Sequence, residues 1–590
     1  MTRAVGAMAA ATAVALAAGG WAVMAWRGGR DVPAVVGAGP PPQPPAAAPA
    51  SRPTATTSNV DDADYVGPDA CAGCHADNAA AWRAGLHRTM TQDLATATVA
   101  GDFTGAELRY GGGVARFTTR AGAPVMVLTN RRGATRQFRV TRTIGSRGLQ
   151  EYVGVAEGDT REVRLPFGWW LARPGWYPQP YFDSWFDAEY AVATAADGAP
   201  ADPAPRFDAF AAPTEAWADR CAWCHTTYPL AVRMARAGIG HGPERYLAPI
   251  APPVVANHLP LERLVTVGIS CESCHLGGRA HAAAPEEIAP SFVPTGAAVV
   301  RLADAPTTSD RHDPRVLGAV CGQCHATPSP RFPDGSAARN SSEALAMAAG
   351  ACASAIRCVD CHDPHERGPA PGGPDRPAHL AACTACHPAL AAPAAAAAHS
   401  HHPAGVTTCL DCHMPRLVQG IGTYVRSHRI STPADASMLA SGAPNACNLC
   451  HLDRSIRWTT DALAAWGVRV APTPAWRPAY GGDLAFAVGP AWLASPQPFV
   501  RMTAAAAYAR RGWLADLPRL VAVLDDPRAN TRMWMVLALE AMLGRRLTPA
   551  QYDPLAPPAE RARRRAQLEA WAARAVVGTP AATASARRAR

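Results

Sequence analysis

Eight copies of one short cysteine pattern constrain this chain more than any other feature of its sequence. Each copy reads Cys-x-x-Cys-His, and together they use sixteen of the 17 cysteines, leaving only Cys352 outside the pattern. Two thiols three positions apart can each add to a vinyl group of haem, and the histidine that follows can bind the iron. The pattern predicts eight covalently bound c-type haems, with the cysteines as attachment points and the motif histidines as iron ligands. Numbered in chain order, motifs 1 to 8 are CAGCH (Cys71, Cys74, His75), CAWCH (Cys221, Cys224, His225), CESCH (Cys271, Cys274, His275), CGQCH (Cys321, Cys324, His325), CVDCH (Cys358, Cys361, His362), CTACH (Cys383, Cys386, His387), CLDCH (Cys409, Cys412, His413) and CNLCH (Cys447, Cys450, His451).

Zinc sites and disulfide frameworks also use paired cysteines, but neither requires a histidine after every second cysteine. Haem is attached to c-type cytochromes outside the cytoplasm, so the cysteine usage predicts an exported protein. The formal charge of +9 omits the two propionates that each haem brings. The charge therefore does not indicate a nucleic-acid partner.

The chain begins with an apolar stretch. Residues 4–26 carry no charge, lie between Arg3 and Arg27, and are numerous enough to span a bilayer. They predict that residues 1–30 anchor the protein on the periplasmic side of the inner membrane, with a cleaved secretory signal as the alternative. Residues 31–64 are rich in Pro and Ala and predict an extended linker.

The segment 65–100 carries motif 1, and residues 101–186 predict a small antiparallel β insertion. Apolar and polar residues alternate between Phe103 and Val163, and turn sequences such as GGG and NRRG interrupt them. An aromatic cluster follows, which we expect to pack this insertion against the haem domain. Its rings are Phe167, Trp169, Trp170, Trp176, Tyr177, Tyr181, Phe182, Trp185 and Phe186.

Motifs 2 to 8 occupy residues 187–466, and the last four lie between Cys358 and His451. So little protein per haem predicts a core made largely of porphyrin, with only short helices. Residues 467–545 predict helices resembling a HEAT repeat, and 546–590 a basic helix and tail. The predicted fold class is thus mainly α with little regular secondary structure: a multihaem domain, a small β insertion and a C-terminal helical segment.

Eleven histidines lie outside the motifs, enough to supply a second ligand to each of eight irons. Trp82, Leu86 and Met90 recur at helical spacing, and His87 lies on the same side of that predicted helix, which makes it a candidate ligand. His281 lies six residues after His275. Three more histidines lie in polar loops, where they either bind iron or remain solvated: His241, His258 and His312.

Several longer strings carry a family resemblance. They are IGSRGLQEYVGV, LPFGWW, VGISCESCHLGGRAH, RCVDCHDPHERG, HHPAGVTTCLDCHMP, SHRISTP and GAPNACNLCH. Over roughly residues 65–466 the chain resembles bacterial multihaem c-type cytochromes with doubled CxxCH motifs, often ending in TPR- or HEAT-like helices. These are related to the superfamily of hydroxylamine oxidoreductase, pentahaem nitrite reductase and octahaem tetrathionate reductase.

The resemblance implies two histidine ligands for most irons. It implies distal ligands at His87, His281, His365, His402 and His428, with His401 competing with His402. His365, His402 and His428 each lie beside one motif, and we expect them to complete a haem held by another. One departure concerns lysine: ammonia-forming nitrite reductases usually bind the active haem through Lys, and this chain contains none.

Three functions are consistent with these features. The favoured one is an electron carrier between redox partner proteins, because an iron with six ligands has no vacancy for substrate. The alternative is an oxidoreductase with one open haem acting on a small nitrogen or sulfur species such as nitrite, hydroxylamine or tetrathionate. In that case His241, His258 and His312 are candidate proton donors. A third is a docking module, in which the HEAT-like end binds a partner oxidoreductase.

Overall fold

A computed structural model describes residues 58–110, 113–130, 132–178, 216–234, 247–249, 259–296, 299–301, 312–327, 329–366 and 377–577. Several predictions fall outside these ranges: the apolar stretch 4–26, the linker up to residue 57, the two loop histidines His241 and His258, and the rings of Tyr181, Phe182, Trp185 and Phe186. The described ranges hold no helix with the length and apolar character needed to cross a membrane.

Nine antiparallel strands form one sheet. Its main path runs β2–β3–β4–β5–β6–β8–β9, while β1 pairs with β5 and β7 pairs with β6. The strands are β1 (Thr91–Asp93), β2 (Ala106–Tyr110), β3 (Gly113–Arg120), β4 (Ala123–Thr129), β5 (Thr135–Ile144), β6 (Leu149–Ala156), β7 (Glu162–Arg164), β8 (Phe167–Trp170) and β9 (Gly175–Pro178). Separate two-stranded pairs are β10 (Thr226–Thr227) with β12 (Thr266–Val267), β11 (Leu247–Pro249) with β13 (Val299–Arg301), and β14 (Arg416–Gln419) with β15 (Tyr424–Arg426).

Aromatic rings bring the two ends of this sheet together. Phe117 on β3 stacks on Trp176 of β9, with ring centroids 3.5 Å apart and planes 7° from parallel. Phe103 meets Trp176 edge-on at 5.1 Å. These rings belong to a buried apolar cluster inside the sheet, which curls into a nearly closed barrel. Burial of several large rings in one place is the main stabilising contribution to such a barrel.

The predicted fold class is therefore wrong, because the β structure is not a small insertion in a mainly α protein. The alternation of apolar and polar residues predicted only the strands between Phe103 and Val163. The sheet also takes in β1, from the predicted first haem-binding segment, and the aromatic run that forms β8 and β9. Apolar and polar residues do not alternate along that run. Its rings are buried on both faces of the sheet, some inside the barrel and others against the C-terminal helices, so both faces are apolar.

Short helices account for most of the remaining described chain. They are α1 (Pro68–Ala72), α2 (Ala76–Ala84), α3 (Trp217–Arg220), α4 (Ala222–His225), α5 (Leu230–Met234), α6 (Arg279–Ala283), α7 (Pro314–His325), α8 (Glu343–Ala348), α9 (Pro377–Cys386), α10 (Pro393–Ser400), α11 (Cys409–His413), α12 (Ala436–Ser441), α13 (Ala446–Cys450), α14 (Ile456–Ala465), α15 (Val488–Leu493), α16 (Pro498–Arg511), α17 (Leu517–Ala522), α18 (Ala529–Leu543) and α19 (Pro558–Val577). Turns of 3₁₀ helix occupy Asp62–Asp64, Leu261–Arg263, Cys271–Ser273, Cys358–Asp360, Pro388–Leu390, Pro474–Tyr480, Leu514–Asp516 and Val523–Asp525.

The predicted helix carrying His87 ends earlier than its apolar spacing indicates. Helix α2 stops at Ala84, and Gly85 takes an extended conformation with ψ 164°. Glycine readily leaves the helical conformation, so the regular spacing of Leu86 and Met90 does not extend the helix. His87 instead lies in a turn, where its carbonyl accepts the N–H of Ile269 at 3.0 Å.

The C-terminal helices pack on one another and on the sheet. Trp170 and Tyr177 of the sheet share a buried apolar cluster with α16 and α18. Tyr424 meets Trp534 edge-on at 5.3 Å in the same cluster. Helices α15 to α18 lie within residues 467–545, the range in which the sequence predicts helices. The comparison of these helices with a HEAT repeat remains a prediction.

Candidate haem-binding sites

Each motif forms a helical turn that places its histidine beside its cysteines. In motifs 1, 2, 3, 5, 6 and 8 the backbone N–H of the histidine donates to the carbonyl of the first cysteine at 2.9 to 3.2 Å. Motifs 4 and 7 lie within helices α7 and α11. A single turn of helix therefore brings two sulfurs and one imidazole to the same side of the backbone, as covalent attachment of a haem requires.

Four motif histidines face a second imidazole from outside their own motif. Their ring planes lie between 12° and 31° from parallel. The centroid distances are 6.2 Å for His75 with His281, 6.2 Å for His413 with His399, 6.2 Å for His451 with His402, and 6.1 Å for His362 with His428.

This separation fits one iron between the two rings. A metal–imidazole bond is about 2 Å long and the ring centre lies about 1 Å further out, so two ligands on one iron have centroids about 6 Å apart. Rings in direct contact lie closer, as His401 and Trp466 do at 4.3 Å. The four pairs therefore fit haem iron, and the cysteines that would attach the haem lie in the same helical turn as each motif histidine.

Hydrogen bonds at Nδ1 fix the proton of two of these rings and leave Nε2 to bind iron. The Nδ1 of His281 lies 2.6 Å from the carbonyl oxygen of Ile288, and that of His402 lies 2.6 Å from the oxygen of Ser400. Because a carbonyl can only accept, Nδ1 carries the proton and Nε2 keeps its lone pair. A second partner of this kind is what orients metal-binding histidines.

His401 and His402 are neighbours with different surroundings. His402 faces His451, whereas His401 is exposed and stacks on Trp466 with planes 6° from parallel. His401 ends helix α10 in the left-handed conformation, with φ 54°. This turn directs the two adjacent rings to different neighbours. The geometry thus favours His402 over His401 as a ligand.

His87 and His365 lie near motifs 3 and 4 without a ring pair at 6 Å among the described residues. Burial, together with the charge of His365, lowers the pKa of His275 to about 4. Burial also lowers the pKa of His87, on which the charge of His325 acts in the same direction. Both shifts keep the imidazoles neutral, the form that binds iron.

Within the described ranges four motif histidines have no second imidazole at about 6 Å, namely His225, His275, His325 and His387. Burial, together with the positive charge of Arg164, lowers the pKa of His225 to about 4. The Nδ1 of His225 is buried. His312, the third loop histidine, is exposed and accepts a hydrogen bond from Nη1 of Arg357 at 3.0 Å.

Sequence reasoning did not select two histidines that lie opposite motif histidines. His399 faces His413, and His379 lies 6.0 Å from His362, which therefore has two imidazoles at this distance. Both belong to the dense group of histidines in the second half of the chain. Spacing could not identify them, because each meets its partner through the fold and not within one element.

Contacts between cysteines of different motifs give the order of the motifs in space. Thiols lie within hydrogen-bonding range between motifs 1 and 3, 2 and 4, and 4 and 5. Electrostatic interactions between cysteines link motifs 3 and 4, 5 and 6, 6 and 7, and 7 and 8. The motifs thus form the row 1–3–4–5–6–7–8, and motif 2 branches from motif 4.

Glu272, the first variable residue of motif 3, holds motifs 1 and 3 together. It is 1% exposed, and its carboxylate accepts the N–H groups of Val66 at 3.0 Å, Gly67 at 2.8 Å and Gly278 at 2.9 Å. Val66 and Gly67 lead directly into helix α1 of motif 1. One buried carboxylate therefore fixes the position of two haem-binding turns.

We expect Glu272→Ala to destabilise the protein by about 3 to 5 kcal/mol, since three partly buried donors lose a charged acceptor. Urea unfolding followed by circular dichroism measures the effect, with the exposed Glu287→Ala as control. Equal unfolding midpoints in the two variants would contradict this role for Glu272.

Comparisons with known proteins give one structural likeness. No protein-family model matches the chain, and a search of curated proteins finds no match. A solved structure described as the outer cell wall cytochrome OcwA aligns with 87% of this chain and 100% of its own, at 15% identity and a TM-score of 0.33. A TM-score this low does not establish a shared fold.

Proposed function

We propose that this protein is an exported octahaem c-type cytochrome that carries electrons between redox partner proteins. The observation that supports this most directly is the set of four motif histidines that each face a second imidazole at 6.1 to 6.2 Å. An iron held in this way has both axial positions filled by the protein. It can accept and release an electron but has no open position for a substrate.

The residues of the chain have distinct tasks in this proposal. The sixteen motif cysteines fix the haems covalently, and the motif histidines supply one axial ligand each. His281, His399, His402 and His428 supply the second ligand for motifs 1, 7, 8 and 5, while His87 and His365 serve motifs 4 and 3. When bound, haem supplies the one-electron Fe(III)/Fe(II) couple.

The spatial row of motifs supports electron transfer along the molecule. Neighbouring motifs in the row 1–3–4–5–6–7–8 lie close enough for their cysteines to interact, by thiol hydrogen bonds or electrostatically. Haems attached to neighbouring motifs would lie close to one another, so an electron would have a short path at each step. Partners would dock near the ends of the row or near motif 2 on its branch.

The proposed location is the periplasmic side of the inner membrane, with residues 4–26 as an anchor or, alternatively, a cleaved signal. The partners are redox proteins and the membrane, without nucleic acid. Covalent haem attachment outside the cytoplasm supports this compartment.

Spin state tests the proposal. In the purified protein we expect eight haems per chain from the pyridine haemochrome spectrum and protein mass. With motifs 2 and 6 each served by one of the five unassigned histidines, we expect electron paramagnetic resonance (EPR) of the oxidised protein to give only low-spin ferric signals, unchanged by nitrite or hydroxylamine. A high-spin signal that disappears when one of these compounds is added would contradict a pure carrier.

One observation favours a second candidate, an oxidoreductase with one open haem. The positive charge of Arg164 acts on His225 of motif 2, which branches from the row. Arg164 pairs with Glu151 at 2.6 Å, so it would act on a bound oxyanion such as nitrite or tetrathionate only as part of that ion pair. The same EPR experiment decides between the candidates, because this one requires a high-spin iron that responds to substrate.

A further inference from the structure

A carboxylate contacts the motif histidine at the branch point of the row. Glu343 begins helix α8, eighteen residues after His325, and its Oε2 lies 3.3 Å from the Nδ1 of His325. In a CxxCH motif the other ring nitrogen, Nε2, is the one that binds iron. The Glu343 carboxylate is therefore placed to accept the Nδ1 proton of an iron ligand.

The surrounding loop holds this carboxylate in place. The Oε1 of Glu343 accepts the backbone N–H of Ser341 at 3.0 Å, and the carbonyl of Ser341 accepts the N–H of Thr327 at 2.7 Å. Thr327 follows His325 by two residues. Ser341 has a φ of 66°, a left-handed conformation that costs a residue with a side chain about 1 to 2 kcal/mol. The loop thus retains a strained backbone while tying Glu343 to motif 4.

Two other candidate ligands use neutral oxygens at the same nitrogen, whereas the Nδ1 of His365 lies 3.0 Å from the Oδ1 of Asp363. The Nδ1 of His413 lies 2.9 Å from the carbonyl oxygen of Ser431, and the Nδ1 of His281 lies 2.6 Å from the carbonyl oxygen of Ile288. A carboxylate is a stronger, negatively charged acceptor than a carbonyl. It makes the imidazole a more electron-rich ligand, which stabilises Fe(III) relative to Fe(II).

Motif 4 is also the motif with most neighbours in the row. Its cysteines approach those of motif 2 through Cys224, motif 3 through Cys274 and motif 5 through Cys358. An electron that moves between the two arms and the branch passes this haem. Its reduction potential therefore influences the direction of flow more than that of a haem at the end of the row.

We propose that Glu343 is a positioning residue that lowers the reduction potential of the haem at motif 4. An electron that reaches this haem would then pass readily to the haem of a neighbouring motif. This rests on the proposed haem content but not on the choice between carrier and enzyme. The couple it influences is a one-electron exchange between neighbouring irons, in which no bond forms or breaks.

The test is a potentiometric titration of the full-length haem-loaded protein, followed by visible absorption and EPR. We expect Glu343→Gln to raise the potential of one haem so that its Fe(III)/Fe(II) ratio at a given potential changes about tenfold, equivalent to about 59 mV. The other transitions stay in place. Glu343→Asp keeps the charge but shortens its reach, and we expect a smaller shift in the same direction.

Exposed Glu287→Gln removes the same charge away from a motif histidine and controls for general electrostatics. Unchanged titrations in both Glu343 variants would overturn the proposal, as would an equal shift of every transition or the same shift in Glu287→Gln. If Glu343→Gln does not fold, the titration of Glu343→Asp alone tests the proposal, and an unchanged potential in that variant would overturn it. Absence of haem from the unaltered protein would instead refute the proposed function.

Discussion

His402→Ala is expected to convert one haem from low-spin to high-spin. The His402 ring faces His451 at 6.2 Å, and its Nδ1 proton is held by the Ser400 carbonyl. Alanine leaves the iron at motif 8 with one protein ligand, and water or a vacant position gives a high-spin centre. EPR should show a new high-spin ferric signal of about one iron per chain, with a matching loss of low-spin intensity.

His401→Asn is the matched control for this experiment. His401 lies one residue earlier, but stacks on Trp466 and has a φ of 54°. Asparagine tolerates that left-handed conformation, so the turn after α10 is preserved while the imidazole is lost. We expect no change in spin state. A high-spin iron in His401→Asn but not in His402→Ala would reverse the assignment of the two residues.

Added imidazole gives a further check on His402→Ala. Free imidazole can enter the space left by the side chain and bind the open iron, which should restore the low-spin signal. A signal that imidazole does not restore would indicate local unfolding in place of a missing ligand.

His281→Ala is expected to alter the haem of motif 1, although His281 lies within six residues of motif 3. Its ring is 6.2 Å from that of His75 and 24° from parallel. Helix α6 brings it there, and the carboxylate of Glu272 fixes the neighbouring turn at Gly278. We expect a new high-spin signal of about one iron per chain, as for His402→Ala.

A double-variant experiment identifies the affected haem. Replacing Cys71 and Cys74 by Ser removes the attachment of the haem at motif 1. If His281 binds that haem, adding His281→Ala to this background produces no further high-spin iron. A new high-spin signal in the combined variant would assign His281 to motif 3 or another motif. Haem content by mass spectrometry confirms that one haem is missing in both proteins.

The β structure shows how far a local pattern extends. The alternation of residues between Phe103 and Val163 predicted strands there, and they belong to the sheet. The adjoining aromatic run gave no strand signal, yet it supplies β8 and β9. Trp176 on β9 packs on Phe117 of β3, a contact across about sixty residues. The curling of the sheet depends on such contacts, so the sequence pattern underestimated its size.

The haem-binding sites, too, could be predicted from the sequence only in part. Attachment of haem needs two thiols and an imidazole within one helical turn, so five consecutive residues of sequence were enough to predict each motif. The second ligand has no such constraint. His365, His402 and His428 were expected to serve motifs other than their neighbours, and for His402 and His428 the ring distances agree with that expectation.

The eight CxxCH motifs could be recognised from sequence alone, because each is a short unit of consecutive residues. The haems and the exported location that they indicate stay predictions. Only the tertiary structure decided which imidazole faces which motif, that motif 2 branches from motif 4, and that Glu343 reaches His325. These depend on contacts between residues far apart in the chain. Burial and the paths of the turns set such contacts, and no local spacing encodes them.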